Sequence, residues 1–322
     1  MSDRPFCSVV IPAFNEKQDI EASLSSLVNQ SYPRDRYEII LVDNGSTDRT
    51  PEIASAYADL ILSKPDGNVG AVRNFGIASA SGSVIICTDA DCVVTPDWIG
   101  TGVALLEENP QHAFGGGLRP REGARWIEKY WILNESGRST QQRALMGSSI
   151  FMWKKDLEQL GAFNESVTSG EDSDLYERAL TSGLLVIISP ELSVAHLGCP
   201  ETPRDFITRQ IWHSENYVPD FRNSLKDKVF WLTLAFLGCM TGALFSVFTA
   251  NYFSAALLLA GGQFPILILT VKRIKRSAWH IKSLDEIVKI LLIDNFYLVG
   301  RSIGLLKGIK NKLNRPGSRP AA

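Results

Sequence analysis

The sequence predicts an α/β domain on a mostly parallel sheet, followed by a transmembrane helical hairpin and a C-terminal amphipathic helix. Three observations carry that prediction. Val/Ile-rich runs end in polar turns and lead into stretches of helical spacing, at residues 8–16 and again at 39–48. Residues 84–92 (VIICTDADC) place two aspartates, Asp89 and Asp91, where an apolar run stops. Residues 229–271 contain no Asp, Glu, Lys, Arg or His. Strands that alternate with helices pair in parallel, and ligands of such sheets bind beyond the carboxyl ends of the strands.

The first strand runs into the loop Pro12, Ala13, Phe14, Asn15, Glu16, and the second into Asp43-Asn-Gly-Ser-Thr-Asp48. Thr50 and Pro51 supply an N-cap and a proline at the first helical position, with Ile53, Ala54 and Tyr57 at helical spacing behind them. Residues 67–76 (GNVGAVRNFG) then carry Arg73 ahead of the aspartate-bearing strand. In an extended run, residues two apart share a face, so Asp89 and Asp91 stand side by side and repel. A divalent cation relieves that repulsion, and Mg²⁺ or Mn²⁺ on one or two carboxylates completes its shell with water and phosphate oxygens. The pair therefore suggests a metal–diphosphate site, with a solvated acidic turn as the alternative the spacing leaves open.

Residues 147–153 read as a strand and 157–163 as a short helix and turn. In residues 168–178 (TSGEDSDLYER), Glu171 and Asp172 sit where a helix begins, with Leu175 and Ala179 on its apolar side. The helix dipole favours acids in a first turn, so capping by itself accounts for them. His196 follows an apolar, strand-like run.

Taken in order, the 12–16 loop, Asp43, Arg73, the Asp-Ala-Asp turn and the Glu171-Asp172 pair resemble the motifs of family-2 glycosyltransferases of GT-A fold, over about residues 5–196. Those enzymes transfer a sugar from a nucleotide-sugar and invert the anomeric centre. The resemblance implies that Pro12, Ala13, Phe14, Asn15 and Glu16 line the nucleoside pocket and that Asp43 bonds the base. It brings Arg73 to the nucleotide, Asp89 to the ribose, and Asp91 to the metal bridging the diphosphate. It makes Asp172 the catalytic base, Glu171 a substrate-binding neighbour, and His196 a metal ligand beside the diphosphate. Inverting transfer needs one base for the acceptor hydroxyl, and the metal takes the leaving-group role that a general acid fills in glycosidases. Gly115-Gly-Gly117 lacks the signatures of phosphate or dinucleotide loops and reads as backbone passing close to the donor sugar or acceptor. Residues 209–213 (RQIWH) depart from the Gln-x-x-Arg-Trp of processive synthases, which argues against polymerisation.

A membrane span needs about 20 apolar residues, so residues 229–271 fit two spans with a turn near 249–252. Lys226 and Lys228 precede them and Lys272, Arg273, Lys275 and Arg276 follow; positive charge on both flanks places both ends in the cytoplasm. Residues 281–309 mix apolar clusters with Asp285, Glu286, Lys289, Asp294, Arg301 and Lys307. Charge in a bilayer is costly, so this stretch fits an interfacial amphipathic helix better than a third span, with packing on the catalytic domain as the other reading. The tail bearing Lys310, Lys312, Arg315 and Arg319 suits anionic headgroups.

The expected layout is a catalytic domain at 1–225, two transmembrane helices at 226–276, and an amphipathic helix with a basic tail at 277–322. The net charge of −2 gives no sign of a nucleic-acid partner. The five cysteines show neither zinc spacing nor an even disulfide framework, and the N-terminus is not a signal peptide, since Pro12 breaks its apolar run. The expected function is a metal-dependent inverting transferase in the cell (inner) membrane, multi-pass, with a cytoplasmic catalytic domain. It would use a nucleotide-sugar donor, a UDP-sugar first, and a lipid-linked or cell-envelope glycan acceptor, with membrane lipids as partners. A polyprenyl-phosphate glycosyltransferase and a non-catalytic nucleotide-sugar-binding scaffold are the alternatives.

Overall fold

A computed structural model of the protein describes residues 4–132, 145–167, 170–215, 217–218, 221–276, 281 and 283–313. The chain divides into two compact units, one of Met1–Arg121 with Asn134–Gly198 and one of Glu122–Leu133 with Cys199–Ala322. Charge ceases near residue 226, whereas the packing boundary falls at 198/199, because the helices on either side of residue 226 share one core.

The strands of the first unit are β1 (Cys7–Ala13), β2 (Tyr37–Asp43), β3 (Leu60–Ser63), β4 (Val84–Cys87), β5 (Cys92–Val93), β6 (His112–Gly115), β7 (Leu118–Arg119), β8 (Ile150–Trp153), β9 (Leu185–Ile188) and β10 (Val194–His196). The helices up to that point are α1 (Ile20–Val28), α2 (Thr50–Ala54), α3 (Val69–Ser79), α4 (Trp98–Glu108), α5 (Trp126–Ile132), α6 (Lys154–Gln159) and α7 (Glu171–Thr181), of which α5 belongs to the second unit. Seven strands form one sheet in the order β3-β2-β1-β4-β8-β6-β9, parallel except for β8, which runs antiparallel to β4 and β6. The central strands are buried on both faces, which is why they read as unbroken apolar runs rather than as alternation. Val9, Ile11, Ile39 and Leu41 pack with Leu24 and Leu27 of α1; Val10, Ile40 and Val42 pack with Val72 and Ile77 of α3.

Register then sets the site. Ala13 pairs with Asp43 and Val10 with Cys87, so the turns after β1, β2 and β4 open at one edge of the sheet. A second sheet, β5-β10-β7, sets His196 opposite Cys92 and so beside Asp91. Thr50 lies one position inside α2 rather than at its cap, and Asp48 takes its backbone N–H instead. The Gly115-Gly-Gly117 expectation is corrected at its middle residue: a Cβ on Gly116 would meet the Leu192 carbonyl at 1.8 Å, so Gly116 admits the protein's own backbone.

The second unit holds α5, α8 (Pro203–Glu215), α9 (Phe221–Ser224), α10 (Lys228–Phe248), α11 (Tyr252–Arg276) and α12 (Leu284–Leu313). Asp227 caps α10 by accepting the Val229 N–H. The α10–α11 turn carries Ala250 at φ 57, where the Asn251 N–H returns to the Ser246 carbonyl. By length and composition α10 and α11 are apolar enough to cross a membrane. They share a core with α5, α8 and α12 that includes Ile127, Phe206, Phe236, Ile266, Ile293 and Leu298.

α12 is amphipathic in an unexpected way. One side packs on α8 through Gly300, Gly304 and Gly308; a Cβ on Gly304 would meet the Ser214 hydroxyl at 2.1 Å and the Ile211 carbonyl at 2.2 Å. Glycines four apart let two helix backbones approach closely, in soluble and membrane helices alike. On the same packed side Asp294 is fully buried, held by Arg273 Nη2 at 2.6 Å and by the Thr270 hydroxyl at 2.9 Å. Val288, Leu292, Ile303, Leu306 and Ile309 remain exposed as a second apolar stripe. Arg315 and Arg319 lie outside the described residues.

Candidate active site

A cleft of about 290 Å³ opens at the carboxyl edge of the main sheet, lined by Pro12, Ala13, Phe14, Glu16, Asn44, Val69, Val72, Asp89, Ala90, Asp91 and His196. Two larger hollows, of about 410 Å³ beside Trp153 and Lys154 and about 470 Å³ along α11 at Phe264, lack any such set of convergent acids. Size therefore does not locate the chemistry here; the strand ends do.

Ligand atoms of Asp89, Asp91, Cys92 and His196 lie within 4.8 Å of one another. Burial, with Asp89 and Asp91 alongside, pushes the Cys92 thiol well above its usual range, so it stays protonated and is a poor partner for a hard cation. The remaining set is two carboxylates and an imidazole. His196 Nδ1 sits 3.2 Å from Asp91 Oδ2, yet it is buried and makes no aligned hydrogen bond. Gly198 walls this point: a Cβ there would come within 2.5 Å of Asp91 Oδ2. Burial raises the Asp91 pKa, which His196 opposes and Asp89 reinforces. Burial likewise lifts Glu16 to about 7, with Asp91, Asp19, Asp89 and Asp48 adding repulsion. Acids so crowded, next to an orphaned imidazole nitrogen, fit a divalent cation.

Behind the cleft runs a chain of charges. Arg73, 3% exposed, donates from Nη1 to Glu171 Oε1 at 2.6 Å and from Nη2 to Asp89 Oδ1 at 2.7 Å. Burial disfavours its charge, but the flanking carboxylates outweigh that and raise its pKa. Its guanidinium lies 5.4 Å from the Phe163 ring centroid. Glu171 and Asp172 open α7 behind Gly170, which takes the left-handed backbone (φ 84) that an L side chain resists. Asp172 accepts the Gly147 N–H at Oδ2 (3.1 Å) and the Ser173 N–H at Oδ1 (2.7 Å), which fixes the plane of its carboxylate.

Most of the residues picked from sequence meet at this edge, in two tiers. Pro12, Ala13, Phe14, Glu16, Asp89, Asp91 and His196 face the cleft. Asn15, at φ 57, instead knits two loops: its N–H donates to the Ser46 hydroxyl and its Oδ1 accepts the Thr47 N–H. Asp43 is nearly buried, and its carboxylate accepts the Gly45 and Ser46 N–H groups. Arg73 and Glu171 bind one another behind the wall. Sequence reasoning missed Asn44, Val69 and Val72, which line the cleft, and Gly147, whose added Cβ would strike Arg73 Nη2 at 2.3 Å. For Gly147 no local signal exists, since the residue it makes room for lies far away in the chain.

Residues 8–155 match the family described as Glycosyl transferase family 2. Over 210 residues the chain is 29% identical to Glycosyltransferase AglE of Haloferax volcanii, covering 62% of this chain and 69% of that one. Over 193 residues it is 28% identical to the beta-monoglucosyldiacylglycerol synthase of Nostoc sp., covering 53% of this chain and 40% of that one, so it spans well under half of that relative. In fold it is similar to the mannosyltransferase PcManGT from Pyrobaculum calidifontis, solved in complex with GDP-Man and Mn²⁺, with a TM-score of 0.58 at 20% identity over 97% of this chain and 88% of that one. The parallel sheet, the acidic cluster at its carboxyl edge and these likenesses agree: residues 8–155 are a glycosyl transferase family 2 domain, and the chain that carries it is a glycosyltransferase of GT-A fold.

Proposed function

We propose that this chain is a membrane-anchored, metal-dependent enzyme that transfers a sugar with inversion from a UDP-type nucleotide-sugar to a lipid-linked or cell-envelope glycan acceptor. The observation that carries the proposal is the meeting of Asp89, Asp91 and the unpartnered His196 nitrogen at the same sheet edge as the α7 start that bears Asp172. Asp91 and His196 would hold Mg²⁺ or Mn²⁺, with Asp89 within reach. When bound, the cation neutralises charge on the departing diphosphate. Phe14, 55% exposed at the mouth, offers its ring to the nucleobase, while Asn15 and Asp43 stiffen the two loops that bear the nucleoside. Asp172, with its plane fixed, accepts the acceptor hydroxyl proton as that oxygen attacks the sugar carbon opposite the leaving group. A relative named for glucosylating diacylglycerol supports a lipid acceptor. So does the α10–α11 hairpin, because a lipid-borne acceptor shares its plane.

Purified full-length protein in detergent, offered a panel of nucleotide-sugars, is expected to hydrolyse one class only, and only with divalent cation present. Asp91→Asn is expected to lower transfer by at least about 10²-fold, the scale of losing a charge-stabilising group, with an unchanged melting profile. Full activity in excess chelator overturns the metal assignment.

The anchor has its own test. Single cysteines at Arg49 and Lys312, both exposed, are expected to label from the same side of sealed vesicles. Four of the five native cysteines are buried, which keeps the background low. Labelling from opposite sides requires an odd number of crossings and rejects the hairpin.

A further inference from the structure

Arg73 was expected at the nucleotide, yet both terminal nitrogens of its guanidinium are held by the protein's own carboxylates. We infer that Arg73 is a positioning residue that sets the spacing between the base-bearing helix and the metal-bearing turn, and that it makes no contact with the donor. The inference rests on the assignment of Asp172 as base and of Asp89 and Asp91 to the donor side.

The geometry is that of a strut. One guanidinium nitrogen grips Glu171, the first residue of α7 and the neighbour of Asp172. Another grips Oδ1 of Asp89, two residues ahead of Asp91. Asp89 lines the cleft and is partly exposed, so the bond to Oδ1 leaves Oδ2 to face the donor. Both grips are short, charge-assisted bonds, and they sit on one rigid planar group, so the separation of the two carboxylates is fixed by the width of the guanidinium. The strut is itself braced. Phe163 covers it, and Gly147 presses against Nη2 while its own N–H holds Asp172 Oδ2. Gly147 thus touches the strut with its α-carbon and the base with its amide. Lysine cannot replace Arg73, because a point charge on a flexible stem cannot hold two carboxylates apart at a set distance.

A strut and a donor ligand differ in which kinetic constant they move. A donor contact made equally in ground and transition states appears in KM, whereas misalignment of base and leaving group appears in kcat. Arg73→Met in the full chain is expected to reduce kcat by about 10²-fold, the scale of an ångström misplacement in an active site. The donor KM should stay within about threefold. Added guanidinium ion should restore part of kcat, because the variant leaves a cavity between two carboxylates. Arg73→Lys should share the kcat loss. Should Arg73→Met fail to fold, Glu171→Gln tests the same strut: it keeps the shape and loosens one grip, and kcat should again fall with KM held. A rise in donor KM at unchanged kcat, in either variant, overturns the inference and returns Arg73 to the nucleotide. Asp172→Asn, run alongside, separates the two levels: if it retains full turnover, the base assignment fails. If it is inactive while Arg73→Met alters KM alone, only the strut fails.

Discussion

Replacing Asp172 by asparagine is expected to cut sugar transfer by roughly 10²- to 10⁴-fold, about 3 to 5 kcal/mol of barrier, the range for loss of a general base. Asparagine preserves the shape, and its amide oxygen can still accept the Gly147 N–H. The amide nitrogen cannot accept the Ser173 N–H, so one backbone bond is lost, about 1 kcal/mol of stability at most. Donor affinity should hardly change by calorimetry. The large kinetic loss with a small fall in melting temperature is what separates proton transfer from helix capping. Capping predicts the reverse, a less stable domain that turns over normally while folded.

The second large effect lies in the helical unit. Asp294→Ala removes the only carboxylate seen on the Arg273 guanidinium among the described residues, leaving it between the Trp131 carbonyl and the Trp131 ring, 4.7 Å from its centroid. Breaking one side of a buried pair costs about 3–5 kcal/mol, most of it for the charge left behind. Thermal unfolding in detergent should therefore show a marked drop for Asp294→Ala and a smaller one for Asp294→Asn, which still accepts from Thr270. The double variant Asp294→Leu/Arg273→Met should be milder than Asp294→Ala, since it buries no unpaired charge. If single and double variants melt alike, the pair carries no coupling and its burial is incidental.

These two sites differ in how readable they were. The central strands were visible because burial on both faces writes an unbroken apolar run, and the Asp89/Asp91 pair because acids that end such a run are local; the pair lies in the turn between β4 and β5, however, and not on the shared face of an extended run. The Glu171-Asp172 start was visible because helix starts have local chemistry. Arg73 was visible as a residue, but its partners were not, because the strut is made by residues far apart in sequence. In the C-terminal third, Asp294 read as a reason to keep its helix near water and Arg273 as one more flanking cation. Each cancels the other inside the protein, and no periodicity reports that. The glycines at 300, 304 and 308 have the spacing of a close helix contact, a local signal that the charged residues of the same helix mask. The packing role of α5 had no local sign at all.

That short helix carries a consequence for how the protein is made. Trp131 stacks edge-on to Phe206 and near Tyr297, and Ile127 is fully buried in the same core. On the ribosome α5 emerges long before α8, α11 or α12 exists, while the strands on either side of it can already pair. The nascent chain must therefore carry a sticky loop out of a half-built sheet until its last helices are synthesised, a window in which exposed apolar surface invites misassembly. A chain ended after residue 198 never closes that window. Such a truncated protein, cut to shed its hydrophobic tail for the sake of solubility, would keep the residues of the cleft and still aggregate, through Trp126, Ile127, Tyr130 and Trp131 in its own middle.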